Sequence, residues 1–157
     1  MAKSIQFQSG NSSQTTSTIR FLPWGNISHS LLTATEINVS TPIAGEGFTL
    51  TRLSCYISAN TRSTGTAEIR LRKNLADANN VCSIPFWTTG HFTDSTSSDT
   101  ITTSDSICIA FKYGTGGTGQ IDLKSISSVI DTATSNTITR LTSYINANLA
   151  RDRKSVV

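Results

Sequence analysis

The chain has 157 residues, a formal net charge of +3 and only 15% charged residues. That length suits one domain, able to bury about 70% of its unfolded surface without disulfide staples. Ser and Thr make up 48 residues, which suits short polar-faced strands rather than a helical bundle, and the charge falls far short of the basic stripe of a nucleic-acid binder.

Residues 1–17 are rich in Ser, Thr, Gln and Asn, with one short alternation at Ile5 and Phe7. They read as an extended arm. Residues 18–25 alternate into a short strand that stops at Pro23. Residues 35–41 alternate cleanly, with Ile37 and Val39 on one face, and predict another strand. Residues 48–58 form the next strand. Its apolar phase slips by one between Leu50 and Leu53, which predicts a β-bulge. Residues 66–73 put Ala67, Ile69 and Leu71 on one face and Glu68, Arg70 and Arg72 on the other. Residues 74–80 carry turn chemistry. Residues 81–87 read as a short strand, with Pro85 marking an edge, and residues 88–100 as a loop or weak strand. Residues 105–113 are the strongest strand, with Ile107, Ile109, Phe111 and Tyr113 on one face. A Gly-rich loop leads into a strand from Gln120 that carries Ile121 and Leu123 in phase. Beyond Asp131 the period changes. Ile138, Leu141, Ile145 and Leu149 recur at three- and four-residue spacing and predict a short amphipathic helix over 136–150. The expected organisation is an N-terminal arm with a short strand (1–30), a β-sandwich (31–130) and a C-terminal tail (131–157).

Charge is distributed unevenly. Residues 1–30 carry Lys3 and Arg20 without an acid, and the tail carries Arg140, Arg151, Arg153 and Lys154 against Asp131 and Asp152. A near-neutral body with basic ends suits ends that lie on an acidic protein surface. The N-terminus has no apolar run resembling a signal peptide, and no segment reaches the ~18 apolar residues of a membrane span. The expected product is soluble, needs no membrane and is made in a reducing compartment. Cys55, Cys82 and Cys108 are too few and too widely spaced for a disulfide framework or a metal knuckle and read as buried free thiols.

Gly114, Gly116 and Gly119 stand at the G-x-G-x-x-G spacing of a dinucleotide loop. That fingerprint needs a helix after the loop, whose N-terminus holds the pyrophosphate. The following residues alternate like a strand, so the glycines read as the turn of a hairpin. His91 and Asp94 share a polar loop, but no G-x-S-x-G elbow accompanies them. No catalytic, cofactor or metal site is expected.

Short strands separated by turn signals, without a core helix, argue for an all-β sandwich. The motif series strengthens this. Residues 35–45 are followed by Ala59-Asn-Thr61, by 69–77, by Thr89-Gly90 and Phe92-Thr-Asp94, by 105–109, and by the Gly-rich loop running into 121–126. The series resembles the small jelly-roll capsid decoration (cement, head-stabilising) proteins of tailed bacteriophages. The resemblance implies a single jelly-roll β-sandwich and a homotrimer. It also implies a structural virion protein, assembled in the host cytoplasm, that sits on the capsid exterior and bridges major capsid protein subunits. The arm and tail lie outside the resemblance. Their apolar residues, Ile5, Phe7, Phe21 and Trp24 with Ile138, Leu141, Ile145 and Leu149, and the basic Arg151, Arg153 and Lys154, are the expected contacts to capsid or to a neighbouring copy. The alternative is a trimeric tail, fibre or spike module that binds a host-surface glycan through Trp87, His91 and Asp94. A hydrolase on a sandwich scaffold would need a clustered Ser/His/acid site, which the sequence does not display.

Overall fold

The computed structural model describes residues 2–15, 18–24, 27–28, 32–43, 46–113 and 118–132. The strands are β1 (Ala2–Gln14), β2 (Arg20–Pro23), β3 (Ile27–Ser28), β4 (Thr41–Pro42), β5 (Phe48–Asn60), β6 (Thr66–Lys73), β7 (Ala76–Pro85), β8 (Gly90–Asp94), β9 (Asp99–Ile101), β10 (Ser106–Lys112) and β11 (Ile121–Thr132). One sheet has the order β3-β1-β11-β5-β8, with β9 also on β5. The other has the order β2-β10-β6-β7, with β4 also on β10. All neighbours are antiparallel except β3, which pairs parallel with β1. The inner faces meet in one core. Leu50, Leu53, Ile57, Ile121, Leu123, Ile126 and Ile130 come from the first sheet; Leu22, Ile69, Leu71, Ile84, Ile107, Ile109 and Phe111 come from the second. The protein is therefore a β-sandwich.

Strand β10 is apolar on both faces, and both are buried. Ile107, Ile109 and Phe111 enter the core, while Cys108 and Ala110 lie on the outer face beneath Phe21 and Val39. Residues 33–43 cross that outer face. Thr33 exchanges backbone hydrogen bonds with Phe21, and Ile43 N donates to Asp105 O at 2.9 Å. Glu36 anchors the crossing by a bidentate pair with Arg72, with Nε–Oε1 at 2.8 Å and Nη2–Oε2 at 2.7 Å. That carboxylate holds the proton firmly on Arg72 against the opposing effect of burial, and Asp77 adds to it. The residues predicted as an alternating strand over 35–41 are thus mostly not a strand. Glu36–Asn38 is a 3-10 turn, only Thr41–Pro42 pairs with β10, and Ile37 is 68% exposed. The ion pair turns the chain before its period-2 pattern can find a neighbour.

The bulge expected between Leu50 and Leu53 is present. Arg52 pairs with Val129 and Leu50 with Ile130, so Thr51 is the extra residue and both leucines remain fully buried. A second irregularity has no counterpart in the sequence reading. Arg70 pairs with Val81 and Arg72 with Asp77, so Ala78, Asn79 and Asn80 of β7 stand opposite Leu71 alone. Carboxylates hold this bulge. Asp99 Oδ1 accepts from the backbone N–H and side-chain amide of Asn79 at 2.9 and 3.0 Å, and its Oδ2 accepts from those of Asn80 at 2.9 and 2.7 Å. Asp94 Oδ2 accepts from Val81 N at 3.0 Å, while its Oδ1 takes Thr96 N, Thr96 Oγ1 and Ser97 N. In this way β7, on the edge of one sheet, is tied to β8 and β9 of the other.

Residues 74–80, expected as a turn, contain a turn only at Asn74 and Leu75, with φ of 51° and 64°. Such a two-residue left-handed turn suits a tight hairpin, and β7 starts at Ala76. Within 88–100, β8 and β9 form end to end along β5. The segment expected as an arm also differs. β1 lies between β3 and β11 and pairs along β11 from Ala2 opposite Thr132 to Gln14 opposite Ile121. Main-chain pairing needs no apolar side chains, so composition alone hides it. The predicted helix over 136–150 and the rest of the tail beyond Thr132 lie outside the described residues.

Replacing Asp99 with Ala leaves the buried Asn80 backbone N–H without its acceptor and removes one of the two acceptors of its side-chain amide, and the expected loss is about 2–3 kcal/mol by urea denaturation. Burial alone would raise the Asp94 carboxyl, but the hydrogen bonds from Val81, Ser97 and Thr96 hold it well below the usual range. The Thr102 N–H, joined by Asn74 and Lys73, does the same for Asp105 against the effect of burial. Both are lowered in the folded state. Their stabilisation is therefore whole above about pH 4 and is lost as pH falls below it. The urea midpoint should drop steeply on acidification below about pH 4, and Asp94→Asn should flatten that drop.

Candidate functional site

Three loops gather at one end of the sandwich: those joining β5 to β6, β7 to β8, and β10 to β11. Thr61 N donates to Gln120 O at 2.8 Å and Ser63 N to Thr118 O at 3.1 Å. Arg62 is 1% exposed and lies over the Tyr113 ring, 3.8 Å from its centroid. Burial pushes the Tyr113 hydroxyl up to about 12, against the pull of Arg62. Asn60, buried at the end of β5, holds the β7–β8 loop. Its amide donates to Pro85 O and Thr88 O, both at 3.0 Å, and its Oδ1 accepts from Arg62 N at 3.2 Å. Thr88 Oγ1 adds a bond to Pro85 O at 2.6 Å.

This framework fixes an aromatic tip. Phe86 is 49% exposed and Trp87 62% exposed. Trp87 has φ of 58°, in the left-handed region. A bulky residue there costs roughly 1–2 kcal/mol and persists only where its surroundings impose it. Pro85 and Thr88, both gripped by Asn60, impose it here. The tip is an apolar projection on a backbone held at both sides by Asn60.

Beside β8, His91 pairs with Tyr56 of β5, and their rings stand 4.7 Å apart on the outer face of the first sheet. Asp94 does not join them. It is buried, with both oxygens committed to Val81, Thr96 and Ser97. The expected cluster of Trp87, His91 and Asp94 is therefore not assembled, because Asp94 serves as a strand staple. Among the described residues no three His, Cys, Asp or Glu side chains group as metal ligands, and no helix is long and apolar enough to cross a membrane.

The glycine loop is not a hairpin turn, since β10 and β11 belong to different sheets; it carries the chain across the sandwich. Gly114 and Gly116 lie outside the described residues. Gly119 has φ of 112°, and a Cβ there would meet Thr61 O at 2.4 Å, so glycine is required for close approach to the neighbouring loop. Strand β11 follows at Ile121, so no helix N-terminus stands behind Gly119 to receive a phosphate.

The expected contact residues are dispersed. Ile5 and Phe7 lie in β1, opposite Val129 and Ser127. Phe21 is buried under the 33–43 crossing, and Trp24 packs against the main core. Neither Phe21 nor Trp24 can serve as a free anchor without leaving that packing. Ile138, Leu141, Ile145, Leu149, Arg151, Arg153 and Lys154 lie outside the described residues. The roles of Asn60, at the end of β5, and Arg62 were not legible in the sequence, because the groups they hold, Pro85, Thr88 and Tyr113, lie far along the chain.

No protein-family model matches the chain, and a search of curated proteins finds no match.

Trp87→Gly should stabilise the fold by about 0.5–1 kcal/mol in urea denaturation, because glycine adopts the left-handed conformation without strain. Trp87→Ala retains the strain and should leave stability within about 0.5 kcal/mol of the parent.

Proposed function

We propose that the chain is a jelly-roll structural virion protein that binds the outside of a bacteriophage capsid and stabilises it by bridging major capsid protein subunits, as a homotrimer. The strand order carries this reading. β1-β11-β5-β8 faces β2-β10-β6-β7, the arrangement expected when eight antiparallel strands wind as two Greek keys. The short β3, β4 and β9 are additions to that plan.

Two further observations support docking. The Phe86–Trp87 tip is the kind of exposed aromatic anchor that dominates protein interfaces. Ala2 also pairs with Thr132, so the basic, apolar-spaced tail starts beside the N-terminus at one corner of the first sheet. Weak contacts of this kind become strong when repeated across the copies of a trimer. The exposed Trp87 also favours the second reading, a tail, fibre or spike module whose aromatic stacks on a host-surface sugar.

The test mixes purified chain with phage heads that lack it and images them by cryo-electron microscopy. Trimeric density at regular lattice positions is the expected result. Removing 1–17 would strip β1 from β11, so the informative truncation ends the chain after Thr132. That truncation should leave the sandwich folded, and Trp87→Ala or the truncation should each lower occupancy by about tenfold, equivalent to ~1.4 kcal/mol. Bare shells, with density at a tail or fibre, would transfer the assignment to the glycan-binding reading.

A further inference from the structure

Cys55 and Cys82 are buried in the same core, on β5 of the first sheet and β7 of the second. Facing sheets ordinarily stand about 10 Å apart, too far for a disulfide. Here β5 and β7 come closer, with Cα atoms within 8 Å of each other. Two β7 side chains reach main-chain carbonyls of β5: Asn80 Nδ2 donates to Leu50 O at 3.3 Å and Cys82 Sγ to Leu53 O at 3.2 Å. Leu53 and Cys55 are buried on the same face of β5, two residues apart, and Cys82 is close enough to be the main influence that, with burial, raises the Cys55 thiol.

Cys108 has no access to this pair. It is paired with Arg72 on the outer face of the second sheet, under Phe21, with its sulfur 3.7 Å from Glu36 Oε1. Cys82, paired with Ile69, faces inward from the same sheet.

We propose that Cys55 and Cys82 are a latent inter-sheet cross-link, which a disulfide oxidant of the glutathione type converts into a covalent lock between β5 and β7. One thiolate attacks oxidised glutathione, forming a mixed disulfide and releasing one reduced glutathione. The second thiol loses its proton and displaces the other glutathione, also reduced. The chain thereby gives up two hydrogens and two glutathione thiols are formed. The lock joins the two sheets where no ladder connects them and closes a loop in the unfolded chain, so it stabilises the fold. This chemistry is independent of whether the protein binds a capsid.

The test refolds the full chain from urea in oxidised glutathione, so that burial does not limit access. The expected product is lighter by two hydrogens, yields a peptide linking Cys55 to Cys82, keeps Cys108 alkylatable and shows a raised urea midpoint that dithiothreitol reverses. Cys108→Ser should retain the link and Cys55→Ser should abolish it. If refolding fails, the native chain opened in sub-denaturing urea with the same oxidant gives the same peptide map. A folded product with all three thiols still alkylatable, or with Cys108 linked as often as Cys82, would overturn the proposal.

Discussion

The tie between Asp99 and the β7 bulge is the constraint on which the rest of the sandwich depends. Where β7 departs from β6, Asn79 and Asn80 carry backbone donors that the ladder does not satisfy. A buried donor left unpaired costs about 1–3 kcal/mol, so a bulge at this edge is tenable only with acceptors supplied from elsewhere. Asp99 supplies them from the opposite sheet, and Asp94 takes Val81 beside them. With those bonds made, Asn80 and Cys82 reach the β5 carbonyls, and the open side of the sandwich is held shut by polar contacts rather than by strand pairing.

Other polar groups divide by burial into framework and surface. Asp94, Asp105 and Asn60 are buried and multiply bonded, and each fixes a loop whose backbone would otherwise be unsatisfied. The outer face of the second sheet carries a different kind of group. There Arg70, Arg72, Lys112, Glu68 and Asp77 form a network around the Glu36 latch. Partly exposed pairs of this kind contribute about 0–1 kcal/mol each, whereas a fully buried Leu or Ile contributes about 1.5–3 kcal/mol. The network therefore fixes where the 33–43 crossing lies, and the core supplies most of the stability.

The same division explains the tip. Asn60 is spent on Pro85 and Thr88, which holds Trp87 in a left-handed conformation with its ring exposed. A loop selected for stability alone would place glycine at that φ.

The sequence by itself determined the all-β class, most strand positions from period-2 alternation, and a bulge between Leu50 and Leu53 from the phase slip there. These are local signals, legible wherever one face of a strand is apolar. Only the tertiary structure decided which strands pair. It put β1 beside β11 although its side chains are mostly polar, because main-chain pairing leaves no mark on composition. It moved Phe21 and Trp24 into packing, set β10 and β11 in different sheets, and turned Asp94 from a candidate surface group into a staple. It also brought Asn60 to Pro85 and Cys82 to Leu53, contacts that residues distant in the chain make only once both sheets have closed.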